Sequence, residues 1–476
     1  MNNPQDSEAA APTIVARDQH PISRSQISRN ALRVLYGLKE AGYQAFLVGG
    51  AVRDLLLGIE PKDFDIATDA HPEQVRSLFR NCRLIGRRFH LAHVRFGQDI
   101  IEVATFRASH TVLDDDNSVD EGGERVLDER GRILRDNLYG TIDEDVWRRD
   151  FTANALYYNI ADFSICDYVG GVADTRARVL RLIGDPDTRY HEDPVRMLRA
   201  ARFAAKLDFT LHADTAAPIR KLAHMLDGIP AARLFDEVCK MFLAGFAVRS
   251  FELLAYYGLL EHLLPSAAQA IKPMMETPGT PEPTEVRLLF LGLRGTDERV
   301  AQDKPVTPTF LFAVLLWPAI KRAHEAGGGA ASETQSWYVA CEQVIAQQQR
   351  RVAVPKRFTL PLADLIAMQP RFERREGRRA LRLLDHPRFR AAYDFMLLRA
   401  AAGEADPVLA EWWTHIQTLA PEDRITLVEQ NIPGAPSSRQ GGDDGTGGAG
   451  GTSGTGGTGG KRRRRRRRPA AQQSPP

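Results

Sequence analysis

Gln44-Ala45-Phe46-Leu47-Val48 runs without a charge into Gly49-Gly50, and this junction constrains the fold more than any other feature. A short apolar run closed by a turn signal fits a strand buried inside a sheet. The double glycine allows a tight bend and a close backbone approach to a ligand. Beyond it, VRDLLLG (52–58) reads as a helix closed by Gly58, and DFDIAT (63–68) alternates as a short strand. Strand, glycine turn, helix and strand in this order predict an α/β unit.

The neighbouring segments extend that unit. A helix begins at Ser25 or Ser28, carries the apolar stripe Ala31, Leu32, Val34, Leu35 and Leu38, and stops at Gly42. HPEQVRSLF (71–79) has Pro72 at a helix start. Two strands separated by Gly97-Gln98, HLAHVRF and DIIEVATFR, form a predicted hairpin. Residues 114–135 are charged, lack apolar periodicity and read as a mobile loop; Asp114, Asp115 and Asp116 within it are taken as solvated surface. From about 143 onward, starting with VWRRDFTANALYYNI, the pattern is helical, and no fixed-period repeat supports a solenoid. The fold class is therefore α+β, a mixed sheet with helices followed by all-helical domains. The expected divisions are a disordered 1–24, a catalytic domain at 25–160, a helical neck at 161–245, a helical body at 246–425 and a disordered 426–476.

Formal net charge is +2, yet Lys461 and the arginines Arg462, Arg463, Arg464, Arg465, Arg466, Arg467 and Arg468 alone supply +8, leaving the other residues at −6. A Gly/Ser/Thr-rich linker (437–460) tethers this run to a mildly acidic body. Seven consecutive arginines repel one another and call for a polyanion; RNA phosphates of any sequence fit best, with a membrane surface as the alternative. Cys82, Cys166, Cys239 and Cys341 are widely spaced without a CxxC pair, which excludes a thiolate zinc knuckle and fits thiols in a reducing cytoplasm. With no run of eighteen apolar residues and no secretory leader pattern, a soluble cytoplasmic chain without a membrane span is expected.

Asp63 and Asp65 carry the chemistry suggested by the residues themselves. On a strand they share one face, and two hard carboxylates suit Mg²⁺ completed by substrate phosphates. Arg53 can clamp a phosphate beside Gly49 and Gly50, and Glu102, in the predicted hairpin, can join as a third carboxylate. A bare DxD is commonplace; the glycine turn, arginine and strand within sixteen residues set this one apart. His90 and His93 have HxxH spacing, but a strand points them to opposite faces, so they are read as packed or surface residues rather than zinc ligands.

LVGGAVRDLLLGIEPKDFDIATDA resembles the signature of the DNA polymerase β-like nucleotidyltransferases, in the class of bacterial poly(A) polymerases and tRNA CCA-adding enzymes. RRDFTANALYY (148–158), DYVGG (167–171), RLIGDPDTRYHEDPVRMLRAARFAAKL (181–207) and IPAARLFDE (229–237) follow in the order of that class. The resemblance covers about residues 30–265 and continues more weakly to a C-terminal arginine-rich region, where Arg371, Arg374, Arg375, Arg378 and Arg379 jointly extend an RNA track. It implies two-metal transfer of a nucleotide from ATP to an RNA 3′-hydroxyl, with two Mg²⁺ on Asp63 and Asp65. It also places Gly49, Gly50 and Arg53 at the triphosphate, and Arg149 and Asp150 near triphosphate and ribose.

Asp193 and Arg196 match the motif that reads the incoming base in this class, with Arg199 on the same face. Taken alone, Asp193 reads instead as an N-cap ahead of Pro194. An acceptor beside a donor suits adenine N6–H and N1, but cytosine offers a similar edge, so the pair does not separate the two bases. LIGRRFHLAHVRF (84–96) is similar to a stretch typical of bacterial poly(A) polymerases, and its Arg87 and Arg88 are candidate contacts to RNA or triphosphate. The expectation is polyadenylation of RNA 3′ ends feeding RNA decay, with degradation factors as possible partners. Alternatives are CCA addition to tRNA and a catalytically inactive RNA-binding regulator.

Overall fold

The apolar run at 45–48 lies in the middle of an eight-stranded mixed sheet. The computed structural model describes residues 11–86, 91–108, 125–127, 133–136, 139–277, 281–327 and 332–430. In chain order the first elements are β1 (Thr13–Val15), α1 (Arg29–Glu40), β2 (Ala45–Val48), α2 (Gly50–Leu56), β3 (Asp65–Thr68) and α3 (Pro72–Leu78). Next come β4 (Cys82–Ile85), β5 (Leu91–Phe96), β6 (Asp99–Thr105), the separate hairpin β7 (Arg125–Leu127) and β8 (Ile133–Asp136), and α4 (Ile142–Trp147). The head closes with β9 (Leu156–Asn159), β10 (Ile165–Asp167) and α5 (Gly171–Ala177), and continues into α6 (Pro186–Glu192) and α7 (Val195–Leu207).

The sheet runs β1-β10-β9-β2-β3-β6-β5-β4; β3 and β6 are parallel and the other pairs antiparallel. Strand β2 is buried on both faces, which is why it shows no polar alternation. Ala45 and Leu47 join the cluster beneath α1 and α2, whereas Phe46 and Val48 pack with Tyr157, Phe106 and Val146 on the opposite face. The α1 stripe is as expected: Ser28 caps the helix by accepting from the Ala31 N–H, and Ala31, Val34, Leu35 and Leu38 are buried. Phe96 pairs with Asp99 across Gly97-Gln98, so the two-residue hairpin forms as well.

Four expectations need correction. ALYYNI is strand β9, central between β10 and β2, rather than helix; its side chains are buried on both faces, so its apolar run imitates a helical pattern. Asp63 precedes β3 rather than lying in it, because pairing with β2 starts at Val48 opposite Asp65. The segment 13–15 pairs with β10 as an edge strand, so the sheet draws on residues before 25 and beyond 160. Within the charged segment, β7 and β8 form an antiparallel pair; Asp114, Asp115 and Asp116 lie outside the described residues.

After α7 a two-residue strand, Thr210–Leu211, pairs in parallel with Val179–Leu180, and beyond it the described chain is helical through Pro421–Gln430, five residues past the expected start of the tail. One continuous apolar cluster runs from Phe151 and Met197 through Trp317 and Trp413 to Val428, so neck and body share a core. Among the described residues no helix is long and apolar enough to cross a membrane, and all four cysteines are unpaired.

Candidate active site

Between α2, the start of β3 and α7 lies a pocket of about 400 Å³ lined by Gly49, Gly50, Arg53, Asp54, Lys62, Asp63, Asp65, Arg149, Asn154 and Lys206, among others. Gly49 sits at φ 72°, a left-handed conformation that a side chain disfavours, and this lets β2 turn straight into α2. Arg53, only 2% exposed, donates from Nε and Nη2 to Asp54 Oδ1 at 2.9 and 2.7 Å, and from Nη1 to Asn154 Oδ1. The helix after the glycine turn thereby fixes its own guanidinium against the short helical turn 152–154 that precedes β9.

Asp65 is the register partner of Glu102 across the parallel β3–β6 pair. Asp63 lines the same pocket as Asp65, whereas Glu102 stands beside Asp65 without lining the pocket itself. Although the Asp65 side chain reaches solvent, enclosure by the pocket wall, then Glu102, then Asp63 push its pKa up to about 6, against the pull of Arg149. Carboxylates crowded together and only partly offset by Arg149 are donors of the kind that a hard divalent ion takes. Across the pocket the sign reverses: burial, Arg53 and Lys62 lower the pKa of Lys206, with Asp54 opposing.

Arg149 is set by a buried network. Asp145, 1% exposed on α4, takes Arg149 Nη2 at 3.0 Å and Tyr157 O–H at 2.6 Å, and Tyr157 in turn accepts from Arg149 Nε at 2.7 Å. Burial by itself would raise the Asp145 carboxyl, but Arg149 and Arg148 hold it far below the usual carboxylate range. From α6, Arg189 donates to the backbone carbonyls of Arg148 and Arg149 at 3.1 and 2.8 Å, tying the neck to this segment.

The remaining candidates form a second cluster outside the pocket. Asp150 pairs with Arg196 at 3.4 Å and with Arg199; Arg196 Nη1 donates to Glu192 Oε2 and Arg189 O, both at 2.7 Å. Among the described residues Arg196 Nη2 has no hydrogen-bond partner. The Asp193 carboxylate does not meet the Arg196 guanidinium: its Oδ1 accepts from the Val195 N–H at 3.2 Å and its Oδ2 from Arg233 at 2.7 Å, and the two residues join only through the Arg196 N–H, which donates to Asp193 O at 3.0 Å. Arg149 and Asp150, adjacent in the chain, link the two clusters. His93 places Nε2 3.2 Å from Glu102 Oε1, whereas His90, Arg87, Arg88 and the arginine tail lie outside the described residues.

DYVGG is scaffold. Asp167 accepts from the backbone N–H groups of Val169, Gly171 and Val172, Gly170 takes φ 76°, and a Cβ on Gly171 would come within 2.2 Å of Thr152 O. Sequence reading does not single out Lys206, Lys62, Asn154, Asp145 or Arg233. Asp145 and Arg149 at i,i+4 were a detectable signal.

A mixed sheet with a diglycine turn feeding a carboxylate pocket is thus carried on a continuous set of helices. The fold is shared with the Thermotoga maritima CCA-adding enzyme bound to tRNA, at TM-score 0.53 and 18% identity over 84% of this chain and 85% of that one. The family model for the poly(A) polymerase head domain matches residues 45–181, that for a probable RNA-binding site of polymerase A matches 208–271, and the arginine-rich C-terminus model matches 329–469. Poly(A) polymerase I of Escherichia coli O157:H7 is 47% identical over 90% of both chains. The CCA-adding enzyme of Bacillus pumilus is 36% identical over only 49% of this chain and 54% of its own length. The chain belongs to the poly(A) polymerase I family and is a polynucleotide adenylyltransferase.

Proposed function

We propose that the chain adds adenylate from ATP to RNA 3′ ends without a template and releases pyrophosphate. The observation that supports this reading most is the crowding of Glu102 and Asp63 onto Asp65 at one side of a pocket whose other wall is cationic. Asp63 and Asp65, with Glu102 alongside, would hold two Mg²⁺ ions, which when bound favour the ionised hydroxyl and offset charge on the leaving oxygens.

The chain's own groups supply positioning. Gly49 and Gly50 leave no side chain to hold the triphosphate away from the α2 entrance, while Arg53, Lys206 and Arg149 offer it fixed positive charge. The RNA 3′-hydroxyl releases its proton to solvent, and its oxygen bonds to the α-phosphorus as the bond from that phosphorus to the bridging oxygen breaks and the electron pair leaves with pyrophosphate. Asp150 would accept from a ribose 2′-hydroxyl, favouring ribonucleotides. Once its bond to Arg233 is released, Asp193 would swing beside Arg196 and accept from adenine N6–H while Arg196 Nη2 donates to N1. In this reading the arginine tail grips RNA of any sequence. By family resemblance the product would feed RNA decay, in contact with degradation factors, and four unpaired cysteines fit a reducing cytoplasm.

Primer extension on an unstructured RNA oligonucleotide, with each ribonucleotide in turn and Mg²⁺, tests the reading. A long ladder with ATP alone is expected. Incorporation of CTP that requires tRNA would replace the reading with CCA addition.

A further inference from the structure

On the sheet face that carries Asp65, Val146, Phe106 and Ile183 pack over β2 and β9, whereas over β6, β5 and β4 Glu102, Arg95 and Arg83 are exposed and His93 between them is largely buried. Alternation settles which side chains share this face. Ile101, Val103, Ala92 and Val94 are buried in the cluster beneath α1, and Cys82 and Leu84 pack against it. Glu102, His93, Arg95 and Arg83 therefore point the other way. In register, Asp65 faces Glu102, Glu102 faces His93, and His93 faces Arg83. Three strand steps at ~4.8 Å put Arg83 roughly 14 Å from Asp65.

Charge changes sign along this row, from two carboxylates through an imidazole to arginine. Arg95 lies two residues along β5 from His93 and on the same face. Arg83 and Arg95 are both exposed, and among the described residues neither forms an ion pair or a ring contact. His93, whose Nε2 is 3.2 Å from Glu102 Oε1, separates the cationic end from the acids that would repel a phosphate.

We propose that Arg83 and Arg95 form a phosphate-binding track for single-stranded RNA, leading the last few nucleotides along this side of the sheet to the carboxylates. The track rests on the reading of the chain as an RNA 3′-end polymerase and names where that RNA lies on the head. Two free guanidiniums on a solvated face meet phosphates with charge-assisted hydrogen bonds and no demand on sequence. A competing account is edge protection, since β4 is the outermost strand and basic residues discourage strand addition there. That account has no use for Arg95, which lies on the inner strand β5.

The test uses the full chain with Arg83→Ala, Arg95→Ala and Arg83→Glu. RNA binding is measured by anisotropy over a salt series, and KM is measured for both RNA and ATP. Each alanine variant should weaken RNA binding by up to about fivefold, as an exposed ionic interaction would. The salt slope should fall by about 0.7 for each phosphate no longer neutralised, and KM for ATP should stay in place. Arg83→Glu should do worse than alanine. A methylphosphonate at one linkage near the 3′ end should have no further effect in Arg83→Ala. Wild-type RNA affinity and salt slope in all three variants, with self-association rising in the Arg83 pair, would overturn the track in favour of edge protection. Anisotropy reads the track whether or not the parent chain incorporates adenylate, so the two readings fail separately.

Discussion

Asp65 and Glu102 are direct register partners on the parallel strands β3 and β6, and their side chains share the sheet face that opens toward the pocket. Sheet pairing holds them together, so folding itself sets two like charges side by side. The cost is visible in the Asp65 carboxyl, pushed up to about 6 by enclosure, Glu102 and Asp63.

That shift has a sign. Between the ordinary carboxylate value of about 4 and the folded value near 6, the native chain binds more protons than the unfolded chain. Metal-free protein should therefore lose stability as pH rises through this window, and Asp65→Asn should remove that part of the slope. Above pH 6, added Mg²⁺ should raise the melting temperature of the parent and not of the variant. Calorimetry across pH, with chelator and with Mg²⁺, reads both effects; a melting temperature blind to Mg²⁺ at pH 8 contradicts the site.

Asp145 titrates in the opposite sense. Held far below the usual carboxylate range, it adds stability that is present above about pH 4 and lost as acid protonates it. Asp145→Asn leaves Arg148 and Arg149 short of their counter-charge, which should cost about 3 kcal/mol or more. Because Arg149 then loses its fixed orientation, kcat should fall with the urea midpoint. Retention of both values would contradict the network.

Gly171→Ala tests the scaffold beneath the site. A Cβ within 2.2 Å of Thr152 O has no space, so either α5 or the 152–154 turn must shift. Overpacking of this kind costs about 1–3 kcal/mol. Urea unfolding should show that loss, whereas a neutral result would mean the turn yields freely.

Deletion of residues 461–468 should lower RNA affinity and flatten its salt dependence by up to ~0.7 for every phosphate the tail would have neutralised, with partial catalytic activity retained. Binding isotherms at two salt concentrations decide it, and identical curves for both chains would remove the tail from RNA recognition.

Much of the head was legible because its elements obey simple patterns. The α1 stripe has helical spacing, the 91–105 hairpin alternates about Gly97-Gln98, and β2 is a short apolar run closed by glycine. Strand β9 was not, since burial on both faces erases the alternation that marks a strand. The edge strand 13–15 was hidden for another reason: Thr13-Ile14-Val15 is too short for an alternation to show and stands alone in a polar, proline-containing stretch. In the site, Asp63 and Asp65 were found from a strand argument that holds only for Asp65; they line one pocket because the loop from α2 returns beside β3. Lys206 escaped notice because only the placement of α7 against the pocket distinguishes it from a solvent-facing helix lysine. The juxtaposition of Glu102 and His93 depends on strand register, which no local pattern specifies.

The most direct measurement is Mg²⁺-dependent extension of an unstructured RNA primer by the parent chain and by the Asp63→Asn/Asp65→Asn double variant at equal RNA occupancy. The account predicts a long adenylate ladder from the parent and a loss exceeding ~100-fold in the variant, with RNA binding kept. Extension by the double variant at the parental rate would contradict the assignment of these carboxylates to catalysis.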